Sequence, residues 1–112
     1  MTTQTSNILI GEEQIKLLAK LSNASGVSGA EGEVRSLILD AVKEFKAEIS
    51  EDVLGNVIVH RPAKTAEAKK VMLAAHIDES GLMIKVDEGD GLYSFAIVGE
   101  LDSRQLVGKT VF

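Results

Sequence analysis

Five apolar residues in a row, Val71-Met72-Leu73-Ala74-Ala75, run directly into His76-Ile77-Asp78-Glu79-Ser80-Gly81. A short unbroken apolar run is the pattern of a strand buried on both faces, and such a strand needs a layer on each side of its sheet. That demand predicts an α/β protein with a buried strand over residues 71–76. Open α/β sheets place their ligands outside the carboxyl ends of their strands, which is where His76 and Asp78 fall. Residues two apart in an extended backbone point to the same side, so these two share a neighbourhood. The arrangement suits an imidazole that ligates a metal through one nitrogen and donates from the other to a carboxylate, which fixes the tautomer and raises ligand basicity. From the motif alone, His76 reads equally as a metal ligand and as a histidine tied to Asp78 for structure.

At 112 residues the sequence is one domain or part of one. A formal net charge of −5 argues against nucleic acid and against an anionic membrane surface as partners. With no cysteine, any metal must be held by imidazole and carboxylate rather than by thiolate. The N-terminal Met1-Thr2-Thr3-Gln4-Thr5-Ser6-Asn7 lacks a cationic stretch followed by an apolar one, so it does not read as a secretory signal. No apolar run approaches membrane-spanning length. The expectation is a soluble, cytoplasmic chain whose first seven residues are frayed.

Residues 12–21 place Ile15, Leu17, Leu18, Ala19 and Leu21 about one helical face, with Glu12 and Glu13 in the first turn, where the helix dipole favours negative charge. Asn23-Ala24-Ser25-Gly26 stops that helix. A second helix follows Ser28-Gly29-Ala30-Glu31, which has capping-box spacing. Its apolar residues Val34, Leu37, Ile38, Ala41, Val42 and Phe45 recur at helical intervals. Glu31 and Arg35 form an i, i+4 pair on its polar side. The period then drops to two over 47–53 and an apolar triplet follows at 57–59, a hairpin turning at Gly55-Asn56. Residues 63–70 read as an exposed connection. After the buried strand come strands at 82–86 and 92–98 around Glu88-Gly89-Asp90-Gly91, and another begins in 105–112. The sequence halts at Val111-Phe112 with that last pattern unfinished, which reads either as a short C-terminal strand tucked into the sheet or as the front portion of a longer protein.

Other chemistries find less support. His60 ends a strand before Arg61-Pro62 and reads as a solvated histidine. Asp52, Asp87, Asp90 and Asp102 lie at turns or strand ends, where aspartate is expected in any case. Ser80 has no Gly-x-Ser-x-Gly elbow about it. The glycine-rich Gly26–Gly32 stretch lacks the Gly-Lys-Ser/Thr ending of a phosphate loop and does not follow a buried strand, so it reads as a loop and helix cap.

Three blocks occur in order: Gly26-Val27-Ser28-Gly29-Ala30-Glu31, then Asp52-Val53-Leu54-Gly55-Asn56-Val57, then Ala75-His76-Ile77-Asp78-Glu79-Ser80-Gly81 with Leu82-Met83-Ile84 behind it. Together they resemble the N-terminal portion of the dinuclear-metal aminopeptidases that include the glutamyl, deblocking and tetrahedral enzymes, some of whose relatives carry an endoglucanase label. The later Ile97-Val98-Gly99-Glu100-Leu101-Asp102-Ser103-Arg104 also resembles that family, although Glu100 stands where a second glycine is common. The likeness extends over about residues 12–112.

The resemblance implies that His76 ligates one of two divalent ions, zinc or cobalt, and that Asp78 is the catalytic-site carboxylate behind it. It implies an α/β fold of two helices and a mixed sheet, with residues 1–78 in an incomplete catalytic domain. Residues 79–112 would begin an inserted β domain used for dimerisation, so a homo-oligomer acting on peptide substrates is expected. The family's bridging aspartate, glutamate pair and later aspartate and histidine ligands have no counterpart here, so this chain by itself is expected to be inactive. The alternative is a non-catalytic α/β oligomerisation or binding module whose His76–Asp78 pair is structural.

Overall fold

A computed structural model of the protein describes residues 10–111. The frayed terminus expected at 1–7, and Phe112, lie outside the described residues. Helix α1 spans Glu12–Asn23 and helix α2 spans Gly32–Val42. Strands β1 (Glu48–Glu51) and β2 (Val57–His60) form one antiparallel hairpin, and β3 (Gly81–Gly89) and β4 (Leu92–Val98) form another.

The first helix starts where its glutamates predict, with the Gln14 side chain accepting from the Gly11 backbone N–H at 3.0 Å. It ends as Ala24 turns to extended backbone, and Asn23 donates its side-chain amide to the Ala19 carbonyl at 2.7 Å. The second helix starts later than the capping-box spacing predicts. Its N-cap is Glu31, with no side-chain cap bond, because the Ser28 hydroxyl is engaged elsewhere and Glu31 turns back to accept from the Gly29 N–H. It also stops at Val42, leaving Phe45 exposed beyond its end.

The first hairpin matches its expectation closely. Glu48 faces His60, Ile49 faces Val59, Ser50 faces Ile58 and Glu51 faces Val57. Asp52 organises the turn: its carboxylate accepts from the N–H groups of Leu54 and Asn56, each at 2.9 Å, and from the Asn56 side-chain amide at 2.7 Å. Of the two turn residues, only Gly55 uses a left-handed backbone, at φ +83°. Arg35 ties α2 to this turn, donating from Nε to the Gly55 carbonyl at 2.8 Å while its guanidinium lies 3.6 Å from Glu31 and 3.7 Å from Glu51. The second hairpin turns through Gly89, Asp90 and Gly91, all at positive φ.

Three expectations are overturned. Residues 71–76 form no strand, and Val71, Met72 and Leu73 are 82%, 87% and 93% exposed. A strand exists only as half of a hydrogen-bonded pair, and among the described residues no other segment pairs with this one. The mixed sheet is therefore absent too: the described strands make two separate two-stranded antiparallel sheets, and the one parallel contact among them is an isolated bridge between Val27 and Glu79. Residues 105–111 are not a strand either. A single 3-10 turn at Ser103–Gln105 precedes them, nucleated by Asp102, which accepts from the Arg104 N–H at 3.0 Å and from its guanidinium at 2.6 Å.

The buried core is small: among the described residues Ala24 and Val34 are the buried hydrophobic side chains, with the Gly26 backbone buried between them. Both lie where α1 and α2 meet the segment carrying His76. Among the described residues no helix is long and apolar enough to cross a membrane.

The turn at Gly55 yields two expected outcomes. Gly55→Ala should lower stability by about 1–3 kcal/mol, because alanine is strained at positive φ and its methyl would press on the Arg35 guanidinium. A shift of the urea midpoint checks this. The Asn56 side chain, then its backbone N–H, hold the Asp52 carboxyl below the ordinary carboxylate range. A lowered folded-state value means that the stabilisation is complete above the ordinary range and is lost as pH falls through the folded value. Protection of the Leu54 and Asn56 amides, taken relative to the intrinsic exchange rate at each pH, should therefore fall only at acid pH below the ordinary carboxylate range, and Asp52→Ala should abolish that dependence.

Candidate metal-ligand segment

Residues 76–79 lie outside both sheets, with Glu79 bridged only to Val27, yet they are held in place by the loop that precedes α2. The Glu79 N–H donates to the Gly26 carbonyl at 2.7 Å, and the Gly26 N–H donates to Glu79 Oε1 at 3.3 Å. Ser28 donates its hydroxyl to Asp78 Oδ2. This docking needs close approach. A methyl at Gly26 would come within 2.7 Å of Val34 Cγ2, and one at Gly81 would collide with the Val27 side chain. Both positions therefore require the smallest side chain for steric reasons rather than for backbone freedom.

The two residues singled out by the sequence meet as expected. His76 Nδ1 lies 2.9 Å from the Asp78 backbone carbonyl oxygen and 3.2 Å from Asp78 Oδ1. A carbonyl oxygen can only accept, so Nδ1 carries the proton in this arrangement, and in the neutral ring Nε2 keeps its lone pair. Among the described residues no hydrogen bond engages Nε2, and the His76 side chain is 85% exposed. This is the tautomer that a metal ligand needs. The Ser28 hydroxyl chiefly holds the Asp78 carboxyl below the ordinary carboxylate range; desolvation opposes it, and Asp78's own N–H and the His76 ring add smaller lowering effects. Asp78 is therefore an anion at neutral pH, suited to bind the Nδ1–H.

The segment forms a common wall between two concavities. One, of about 360 Å³, lies between α2, the first hairpin turn and residues 75–78, and is lined by Arg35, Leu54 and Asn56 among others. The second, of about 240 Å³, lies toward the α1 end and is lined by Leu21, Val34 and Ile77 among others. Arg35 in the first is engaged with Gly55, Glu31 and Glu51, so it acts as a strut between helix and hairpin.

A metal fits this segment at one coordination position. His76 offers an oriented lone pair, but among the described residues no group of three or more His, Asp or Glu side chains lies together in a way that could hold an ion. His60 is paired across the hairpin to Glu48 at 3.0 Å, at the end of the hairpin opposite its turn, and its side chain is exposed, in keeping with its reading as a solvated strand-end residue. Ser80 is structural, its Oγ accepting from the Glu100 N–H at 3.2 Å. The arrangement of Ser28, Asp78 and His76 is not a nucleophilic triad. In such a triad the imidazole touches the hydroxyl, whereas here both groups bind the carboxylate between them.

Sequence reasoning missed Ser28 and Glu79. Ser28 has a helix-cap pattern around it, and its partner lies 50 residues away, a distance no local pattern spans. Glu79 adjoins the His-x-Asp pair, but only its contact with Gly26 gives it a role.

Residues 55–112 match the M42 glutamyl aminopeptidase family, and the chain belongs to that family of peptidases. Among curated relatives, a protein of Acetivibrio thermocellus that bears an aminopeptidase name is 38% identical over 100 residues, covering 89% of this chain and 29% of the relative. The lysyl aminopeptidase of Pyrococcus furiosus is 35% identical over 97 residues, covering 86% of this chain and 27% of the relative. The glutamyl aminopeptidase of Lactococcus lactis is 32% identical over 79 residues, covering 70% of this chain and 22% of the relative. The chain thus spans less than a third of the length of the relatives it matches.

The contact between Val27 and Gly81 provides a test of the docking. Gly81→Ala should push the loop away and speed exchange of the Glu79 amide by about tenfold, equal to about 1.4 kcal/mol of local opening. Val27→Ala in the same background should restore protection, since it removes the side chain that the new methyl would strike.

Proposed function

We propose that this chain contributes the His76 ligand and its Asp78 partner to the dinuclear centre of a metal-dependent aminopeptidase, with peptides as substrates. The observation that carries the reading is the His76 geometry: Nδ1–H held by the Asp78 carbonyl and carboxylate, Nε2 free for a cation. Membership of the M42 glutamyl aminopeptidase family supports it. Two divalent ions in such a centre, zinc or cobalt, would polarise a scissile carbonyl and lower the pKa of a bound water. This chain's residues do the orienting: Asp78 keeps the imidazole in one tautomer and one ring position, and the Gly26–Ser28 loop keeps Asp78 in place.

The remaining ligands and the proton-transferring glutamate are proposed to come from sequence outside these 112 residues. Two observations support this: the lack of a three-ligand cluster among the described residues, and the small share of each relative that the chain spans. The same proposal places residues 1–78 in the catalytic domain and residues 79–112 at the start of a β domain that pairs subunits, in a cytoplasmic homo-oligomer. The separate β3–β4 hairpin supports that division.

The test is metal content and peptidase rate in the native protein. His76→Ala should lose one of two metal equivalents. Asp78→Asn should preserve the fold and weaken metal binding or turnover of aminoacyl chromogenic substrates by about 10–100-fold, as for other partners of metal-bound histidines. Unchanged metal content and rate in both variants would overturn the reading in favour of a structural His–Asp pair in a non-catalytic module.

A further inference from the structure

Ser28 sits in a loop whose sequence reads as a helix cap, yet it caps nothing. The helix begins at Gly32 with Glu31 as its N-cap and no side-chain cap bond. The Ser28 hydroxyl goes instead to Asp78 Oδ2, while the other oxygen of the same carboxylate, Oδ1, lies 3.2 Å from His76 Nδ1. The terminal torsion of an aspartate is broad when nothing engages it, so a grip on one oxygen decides where the other one points. The grip is itself rigidly placed. Two hydrogen bonds join Gly26 to Glu79 on the same stretch, and Val27 fills the space that Gly81 leaves open.

We propose that Ser28 is a positioning residue for the metal ligand. Its hydroxyl locks the Asp78 rotamer so that Oδ1 and the Asp78 carbonyl together hold the His76 Nδ1–H and leave Nε2 directed to a divalent cation. The proposal rests on the reading of His76 as a metal ligand. Ser28 itself touches neither metal nor substrate. It acts through Asp78, and its hydroxyl proton is committed to the carboxylate.

The test uses the native protein and three substitutions. Ser28→Thr and Ser28→Val introduce side chains of nearly the same shape that differ in the hydroxyl, and Ser28→Ala adds no volume at all. Long-range nitrogen–proton spectra of the imidazole, recorded on metal-free protein and assigned by the loss of signals in His76→Ala, read the tautomer. Competition with a chromophoric chelator reads zinc affinity. The expectation is that Ser28→Ala and Ser28→Val mix the His76 tautomers and weaken zinc binding by about 3–10-fold, somewhat less than direct removal of a histidine's partner. Ser28→Thr should keep both properties.

Ser28→Val matching Ser28→Thr in tautomer and affinity, or Ser28→Ala matching the unsubstituted protein, would overturn the proposal. Should the two larger side chains prevent folding, Ser28→Ala decides alone. Failure of the underlying reading is distinguishable. Zinc binding unaffected by His76→Ala would remove the metal role, and the tautomer measurement would still decide whether Ser28 orients the pair. Loss of a zinc equivalent in His76→Ala, with zinc affinity and tautomer unchanged in Ser28→Ala and Ser28→Val, would defeat the Ser28 proposal alone.

Discussion

The docking of the Gly26–Ser28 loop against residues 77–79 is the contact on which the candidate site depends. It joins two stretches about 50 residues apart, and it does so without a sheet to guide them. A hydrogen bond contributes about 1 kcal/mol net, close to what fixing the backbone of a single residue costs. Three such bonds at most offset the cost of fixing residues 77–79 and cannot hold them by themselves. Apolar contact must add to them, and it is supplied by Val34, one of the two buried core residues, and by Val27 beside Gly81. The glycines matter because they let backbone approach backbone. A Cβ at either would separate the surfaces and break the polar contacts with the apolar ones.

Local features of the sequence were legible because local physics controls them. The α1 boundaries follow from charge at its start and a turn cluster at its end. The first hairpin follows from alternation and from Gly55, and Glu31–Arg35 pairing follows from helical spacing. The meeting of His76 and Asp78 is also local, since residues two apart in extended backbone share a side. What was not legible is non-local or competitive. Ser28 has two possible partners, a helix N-terminus or a distant carboxylate, and only the folded arrangement decides between them. Asn56 could have supplied a left-handed turn residue but instead uses its side chain to bond Asp52.

The failure at residues 71–76 has a different cause. An apolar run is buried only where it has a partner layer on each side. Fully burying a Val, Leu or Met side chain is worth about 1.5–3 kcal/mol, so three exposed ones in succession leave a substantial unmet driving force. β-propensity expresses how well a side chain fits a pleated, half-buried surface. Without that surface the same residues stay unpaired and exposed. Within the described residues the strand expected from 105 onward is absent for the same reason, and a polar nucleus at Asp102 and Arg104 directs the backbone into a tight turn just before it.

Orientation and coordination number are separable properties of a metal site, and for the proposed site the described residues supply the first. The Asp78 carbonyl fixes which nitrogen of His76 bears the proton, and the Asp78 carboxylate fixes the plane of the ring. Both effects exist before any ion arrives, so the entropic cost of ordering the ligand falls on folding rather than on binding. Coordination number is different, because a closed or catalytic site needs three or more ligands converging within about 2 Å of one point. A carboxylate hydrogen-bonded to both a serine and a histidine has its oxygens largely committed, which makes Asp78 better suited to stand behind the ligand than to become one. The division of labour follows from the geometry: His76 is the group offered outward, and Asp78 and the Gly26–Ser28 loop form the frame that keeps it there.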